Sequence, residues 1–520
     1  MKRWLALGWL VAVAGALALR LPQLARRPMH GDEAVQAWKL RGLWEEGVYR
    51  YDPNEYHGPV LHYATLPFAW LSRAGEFAQF TEKTLRIVPV VFGAGMILLL
   101  AWLRDGLGNA ATLSAAALTA ISPALVFYSR YYIHETLLVS FTLLLLAAGW
   151  RYWRTRRVGW AVLAGAALGL MHATKETCAL ALGAMLAAAA LSLAWAGWVE
   201  RKPLAPSPSL NWLHLVVGLA VAVAVSVTLF SSFFTNASGP LDSLRTYLPW
   251  LNRAGGASAH NHSWYFYFQR LLLFHHGRGP VWSEALIMAL GLVGLGAALT
   301  GKGLVGANAR WVRFLGFYAA TLTLIYCSIP YKTPWCALGF WHGTILMAGV
   351  GAAALVQMMK GRWRRVVVAV VLSAAAGQLA FQAWRAAFPY CADRQNPYVY
   401  AHTSPDIRRL VRTVEALAAV HPQSYQVVVK VMAPGRDYWP LPWYLRRFKH
   451  VGWWDHVPPD PDAPIVIAGT KFGAALGDRP GQTWAGLYEL RPLNFLELHV
   501  DSNLWAQYLK SGWRPSDEDQ

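Results

Sequence analysis

About eleven apolar runs of roughly 17–23 residues recur along this 520-residue chain, and that repetition limits its possible folds more than any motif does. They lie near 4–21, 86–103, 110–127, 134–150, 159–173, 178–197, 212–232, 282–299, 313–329, 335–357 and 366–384. A helix of that length matches the hydrocarbon thickness of a bilayer and satisfies its own backbone where lipid offers no partner. Only 14% of the residues are charged, against about 25% in soluble proteins. The chain is therefore expected to be a polytopic α-helical membrane protein. Its Ala- and Gly-rich runs suit close helix packing in lipid. The first run is read as a retained helix, because the topology closes with it in place. Ala16-Leu17-Ala18 nevertheless offers small residues at which a signal peptide could be cut.

The formal charge of +19 comes from 47 basic and 28 acidic residues. Much of the excess sits in short loops, at 151–157, 201–202 (Arg201-Lys202), 302–313 and 360–365. With the N-terminus in the cytoplasm, all of these fall on the inner side, as the positive-inside rule requires. The charge thus needs no nucleic acid, and none is expected as a partner. The expected location is the cell (inner or plasma) membrane, multi-pass. The cysteines Cys178, Cys327, Cys336 and Cys391 show no metal or redox spacing.

The other face receives Asp32-Glu33, His57-Gly58-Pro59, Arg86, Tyr128-Ser129-Arg130, His134-Glu135, Lys175-Glu176, Tyr331-Lys332-Thr333-Pro334 and a long loop at 233–281. Reactive residues gathered on one side from distant loops suggest one composite site. In the first outer loop, helical spacing over 34–46 and 60–71 predicts two interfacial helices. Beyond 384 the spans stop. Two domains are expected, a membrane domain at 1–384 and an extracytoplasmic α/β domain at 385–520. The latter should hold a helix over 405–420 opened by Ser404, strands at 425–432, 465–469 and 487–490, a helix at 504–510 and a frayed tail at 514–520.

Most of these residues carry two readings. Asp32-Glu33 is either a catalytic pair or the acidic start of a helix, where the dipole favours it. His57-Gly58-Pro59 is either a turn or a phosphate contact. Arg130 is either a snorkelling arginine or a ligand group, with Glu135 as its ion-pair partner or as a second carboxylate of the site. Lys175 and Lys332 each occupy a very short outer loop, where the positive-inside rule disfavours lysine. An anionic ligand, most simply a phosphate or diphosphate, explains both. No histidine pair has metal-ligand spacing, so no metal ligand is assigned. A divalent cofactor is compatible with the sequence but not required by it. Trp453-Trp454-Asp455 matches part of the oligosaccharyltransferase signature, but His456-Val457 replaces the Tyr-Gly that should follow, so the match is read as coincidence.

Taken in order, these residues resemble the C-type (GT-C) membrane glycosyltransferases, chiefly the protein O-mannosyltransferase and aminoarabinose transferase group. The likeness covers 1–200 and, locally, 331–338. In that group an acidic residue or pair follows the first span, as Asp32-Glu33 does here. A Lys-Pro-Pro-Leu-Tyr-Tyr-like segment opens an interfacial helix, here His57-Gly58-Pro59-Val60-Leu61-His62-Tyr63. The next span begins Leu85-Arg86, a later pair of spans meets at Tyr128-Ser129-Arg130, and a short loop carries Lys332-Thr333-Pro334-Trp335. A narrower likeness, through Asp32-Glu33, His57-Gly58-Pro59, Arg86 and Arg130, is to the flippase-activity-associated family linked to archaeal-type N-glycosylation. His57 stands where the better-studied transferases have lysine.

The resemblance implies a GT-C fold of about eleven spans with interfacial helices in the first outer loop and a C-terminal soluble α/β domain. It also implies a glycosyltransferase moving a hexosyl or pentosyl group from a polyprenyl-phosphate sugar, on the extracytoplasmic face. The acceptor would be a lipid, glycan or protein, and membrane lipid a further partner. Asp32, Glu33 and Glu135 are the expected catalytic residues. Asp32 would be the general base, and Glu33 or Glu135 would position the acceptor or a metal. His57, Arg86, Arg130, Lys175, Tyr331 and Lys332 are the expected donor-phosphate and substrate contacts. A single displacement predicts inversion at the anomeric carbon. The alternative is a non-catalytic lipid-linked-glycan-binding protein that assists a flippase. A secondary transporter ranks last, because few polar residues fall at mid-membrane.

Overall fold

The computed structural model describes residues 2–54, 57–201, 211–477 and 479–512. Lys202 and the 514–520 tail, both named above, lie outside the described residues. The chain divides into two compact units. The first comprises Met1–Leu24, Gly47–Leu71 and Lys83–Tyr400, and the second Ala25–Glu46, Ser72–Glu82 and Ala401–Gln520.

The first unit is helical, and each of the apolar runs forms helix. The expected count of about eleven spans is not confirmed. Among the described residues, 7 helices are long and apolar enough to cross a membrane: Arg3–Arg20, Glu82–Leu107, Glu135–Thr155, Cys178–Trp198, Trp212–Phe230, Pro334–Met358 and Arg362–Ala387. Asn109–Ile121, Val158–His172 and Ala285–Thr300 are apolar but shorter. The run at 110–127 breaks at Ser122-Pro123. Proline has no N–H to continue the ladder, and a second helix, Pro123–Tyr128, starts there with the Ser122 hydroxyl accepting from Leu125 N–H. The fully buried Glu284 carboxylate ties this break to three other segments. It accepts from Ser122 Oγ (2.5 Å), Ala124 N (3.0 Å), Trp341 Nε1 (3.0 Å) and the Tyr398 hydroxyl (2.6 Å). Helices Ala285–Thr300 and Leu338–Met358 meet backbone to backbone: a Cβ on Gly351 would lie 1.8 Å from the Leu290 carbonyl oxygen.

The second unit is built on a five-stranded mixed sheet of order β2-β1-β3-β5-β4. Its strands are β1 (Val429–Met432), β2 (Val451–Trp454), β3 (Ile465–Gly469), β4 (Gln482–Arg491) and β5 (Asn494–Asp501). β1 runs parallel to β2 and β3, with Val429 opposite Val451 and Ile465. β5 runs antiparallel to β3 and β4. β3 is buried along its whole length, which explains its continuous apolar run. The expected helix at 405–420 spans Ile407–Val420 and starts at Asp406 rather than Ser404. The Ser404 hydroxyl instead accepts from Asp406 N–H (3.3 Å). A last helix, Ser502–Lys510, is capped by the Asp501 carboxylate. The helix Gly31–Glu46 from the first outer loop belongs to this unit. Met29 N–H donates to the Tyr444 hydroxyl (2.9 Å), Thr403 Oγ1 donates to Met29 O (2.7 Å), and His30 stacks on His402 at 5.5 Å.

Candidate active site

In the second unit, the pair Asp32-Glu33 opens the helix Gly31–Glu46, and its two members do different work. Glu33 is fully buried. It accepts from Arg27 Nη2 (3.2 Å) and reaches back to His30 N–H (3.1 Å). That backward reach is the acidic half of a capping box, closing a donor that the first helical turn leaves open. Asp32 points outward with 54% of its side chain exposed, 3.9 Å from His30 Nδ1. His30 Nδ1 also accepts from Asp32 N–H at 3.1 Å. Burial on β4 weakens the proton affinity of Arg491, and the nearby Asp32 carboxylate partly restores it. Both residues thus stand at the helix start, with Glu33 buried and Asp32 exposed.

In the first unit, His57, Glu135 and Lys175 come together. His57-Gly58-Pro59 lies against the loop between helices Val158–His172 and Cys178–Trp198. Gly58 N–H donates to Thr174 O and Val60 N–H to Ala173 O, both at 3.1 Å. The approach leaves no room for a side chain, since a Cβ on Gly58 would sit 2.2 Å from Ala173 O. The same loop carries Lys175, whose Nζ is bonded to the Glu135 carboxylate. Their side chains are only 8% and 7% exposed. Burial works against the Lys175 charge, but Glu135 more than offsets it and holds the ammonium above the ordinary lysine range. Glu135 also begins the helix Glu135–Thr155, where a negative charge suits the dipole.

Glu176, the next residue, bonds His57 Nδ1 at 2.8 Å and accepts from the Tyr51 hydroxyl at 3.4 Å. Burial raises the proton affinity of Glu176. The neighbouring His57 outweighs that and leaves the carboxyl below its usual range. The His57 ring stacks on Trp250 at 5.0 Å and meets His134 edge-on at 5.2 Å. His134 Nε2 donates to Gly58 O (3.0 Å). Burial, reinforced by His57, His62 and Lys175, pushes His134 well below the imidazole range. A cavity of about 20 Å³, room for about one water, is bordered by Glu135, Lys175, Thr177, Tyr326, Trp335 and Cys336. Among the described residues, no group of 3 or more His, Cys, Asp and Glu side chains could hold a metal ion.

The remaining expected contacts lie elsewhere in this unit. Arg86 Nη1 donates to Leu24 O at 2.7 Å. Arg130 donates to the carbonyls of Arg20 (2.8 Å), Pro22 (2.7 Å) and Gln23 (3.2 Å) and stacks on Phe388. Arg130 thus closes a carbonyl that the helix Lys2–Arg20 leaves open where it ends, and with Arg86 it holds the 22–24 turn that follows. Arg20 returns the contact, donating to Ser129 Oγ (2.8 Å) and Ala120 O (2.7 Å). Lys332 Nζ donates to His262 O (3.1 Å) and also bonds Ile329 O, and Tyr331 pairs with Asn261 in an antiparallel bridge. The same loop contributes Trp335 and Cys336 to the cavity wall. Sequence reasoning gave Lys175 a role but none to its neighbour Glu176, and it missed the aromatic residues Tyr51 and Trp250. Glu176 had one signal, an acid beside a lysine in a very short outer loop. Tyr51 and Trp250 had none.

Residues 64–230 match the family model described as dolichyl-phosphate-mannose-protein mannosyltransferase. The structure is similar to that of ArnT from Cupriavidus metallidurans bound to undecaprenyl phosphate, with a TM-score of 0.63 and 16% identity over 97% of this chain and 99% of that one. It is also similar to the Archaeoglobus fulgidus oligosaccharyltransferase tethered with an acceptor peptide, with a TM-score of 0.55 and 13% identity over 98% of this chain and 77% of that one. No curated protein sequence matches the chain. At these identities the likeness is one of fold, and the fold is that of the C-type membrane glycosyltransferases.

Proposed function

From a membrane chain with the C-type glycosyltransferase fold, we propose a glycosyltransferase that takes a sugar from a polyprenyl-phosphate donor and gives it to a lipid, glycan or protein acceptor. The basic loops support an N-terminus inside, with the 172–177 and 331–337 loops and the second unit on the extracytoplasmic side. One observation carries the reading. Two largely buried pairs, Lys175–Glu135 and His57–Glu176, meet at the loop that backbone hydrogen bonds clamp to His57-Gly58-Pro59, and the first of them borders a small cavity. Buried, pre-oriented cations are what a departing phosphate needs, because leaving-group charge develops in the transition state.

In this mechanism Asp32 takes the proton from the acceptor hydroxyl. The acceptor oxygen bonds to the anomeric carbon as that carbon's bond to the phosphate oxygen breaks. The electron pair leaves with polyprenyl phosphate, and the anomeric configuration inverts. Lys175, His57 and Lys332 neutralise the phosphate, with Tyr331 at the substrate. Glu135 orients Lys175, and Glu33 holds the turn that presents Asp32. Arg86 and Arg130 hold the 20–24 segment that ends the first helix. The test is incubation of purified protein with a radiolabelled polyprenyl-phosphate sugar and membrane extract. Transfer of label with release of polyprenyl phosphate is expected. Tight binding with no turnover would refute catalysis and favour the flippase-assisting reading.

A further inference from the structure

The residue the mechanism leaves unused is Glu176. Its carboxylate is buried, its Oε2 lies 2.8 Å from His57 Nδ1, and its Oε1 accepts from the Tyr51 hydroxyl. The ring it holds cannot turn away. His57 O accepts from the Tyr49 hydroxyl (3.2 Å), the ring lies flat on Trp250, and the next residues are bonded to Ala173 and Thr174. With Nδ1 engaged, Nε2 is the nitrogen left to face a ligand.

We propose that Glu176 is a positioning residue that acts through His57, fixing the ring by Nδ1 so that Nε2 serves the donor phosphate. This rests on the donor reading above and deepens it. The groups packed on the ring support the assignment: Glu176 holds Nδ1, Trp250 stacks on one face and His134 meets it edge-on. Lys175, on the same loop as Glu176, is bonded to Glu135 instead. His134 gives its Nε2–H to Gly58 O, so it does not compete for Glu176.

The experiment measures binding of undecaprenyl phosphate to purified full-length protein for wild type, His57→Ala, Glu176→Leu, Glu176→Gln and the double variant His57→Ala/Glu176→Leu. Glu176→Leu should weaken binding about tenfold, and Glu176→Gln, which keeps an acceptor for Nδ1, should restore most of it. The double variant should bind as His57→Ala alone does, because Glu176 acts only through the ring. Losses that add in the double variant mean a merely structural role and overturn the proposal. If Glu176→Leu does not fold, as judged by its melting, His57→Ala decides alone, and binding unchanged from wild type overturns it. Absence of binding by all variants, wild type included, instead sinks the donor reading and this inference with it.

Discussion

Breaking the Lys175–Glu135 pair from one side should cost far more than removing it from both. The two side chains are almost fully buried, and the adjoining cavity of about 20 Å³ has room for about one water, so a stranded charge gains little solvent. Losing one partner of such a pair destabilises by about 3–5 kcal/mol. Proton transfer sets a ceiling. In Glu135→Leu the stranded ammonium can discharge, which at pH 7 costs at most about 5 kcal/mol from an ordinary lysine value. Lys175→Met should fall in the same range. In the double variant Lys175→Met/Glu135→Leu no charge is stranded, and an apolar pair of similar volume should come within about 1 kcal/mol of wild type.

The sign of the pH dependence gives a second check. In wild type Lys175 is raised above its ordinary value, so its contribution is fully present at and below neutral pH and is lost only in strong alkali. Without Glu135, burial is left to act alone and depresses Lys175. The folded state then binds fewer protons than the unfolded one, and stability climbs with pH by up to about 1.4 kcal/mol per unit. Thermal melting in detergent at pH 6, 7 and 8 measures this. The single variants should melt several degrees below wild type, with Glu135→Leu recovering as pH rises and the double variant flat. Single variants that melt with wild type at every pH, or a double variant worse than either single, would refute the buried ion pair.

Other substitutions test the remaining assignments. Asp32→Asn should abolish sugar transfer and leave melting within about 1 kcal/mol of wild type, because the side chain is half exposed; full activity would remove Asp32 from the base role. Gly58→Ala would set a methyl carbon 2.2 Å from Ala173 O, so melting should drop by an amount equivalent to about 1–3 kcal/mol and undecaprenyl phosphate binding should fall with it. Arg130→Met strands the carbonyls of Arg20, Pro22 and Gln23 and should cost about 2–3 kcal/mol in melting experiments. If melting were unchanged while lipid binding was lost, Arg130 would instead be a phosphate contact.

The apolar runs were legible because lipid enforces them: a helix in hydrocarbon must be long and apolar, and that shows in any window of sequence. Their count was less so. Short helices such as Ala285–Thr300 and the Ser122-Pro123 break look like full spans to a hydropathy reading, and only coordinates show where each stops. The buried strand β3 was visible as Ile465 to Ala468, whereas β5 carries Glu497 and His499 among its apolar residues and β2 is a four-residue strand of intermediate burial. At the site, Lys175 was legible through its misplacement against loop charge. Its bond to Glu135 and the bond of His57 to Glu176 were not, because they join residues 40 and 119 positions apart. Glu33 carried a local signal, an acid three residues after a helix start, which is the spacing of a capping box. Adjacency to Asp32 concealed it.

The pairing of Lys175 and His57 at the first-unit site also bears on turnover. Free lysines would hold a phosphate tightly, and tight binding of a product lowers the rate at which it departs. Lys175 already answers to Glu135, and His57 to Glu176. A phosphate arriving there meets oriented donors whose net charge is partly cancelled. Such groups gain most when the ligand's own charge is greatest, which is at bond cleavage, and less when a sugar still masks one oxygen. On the proposed reading the carboxylates set how strongly the site discriminates between a donor phosphodiester and a departing phosphomonoester. That discrimination should narrow in Glu176→Leu, where nothing holds the His57 ring toward the phosphate.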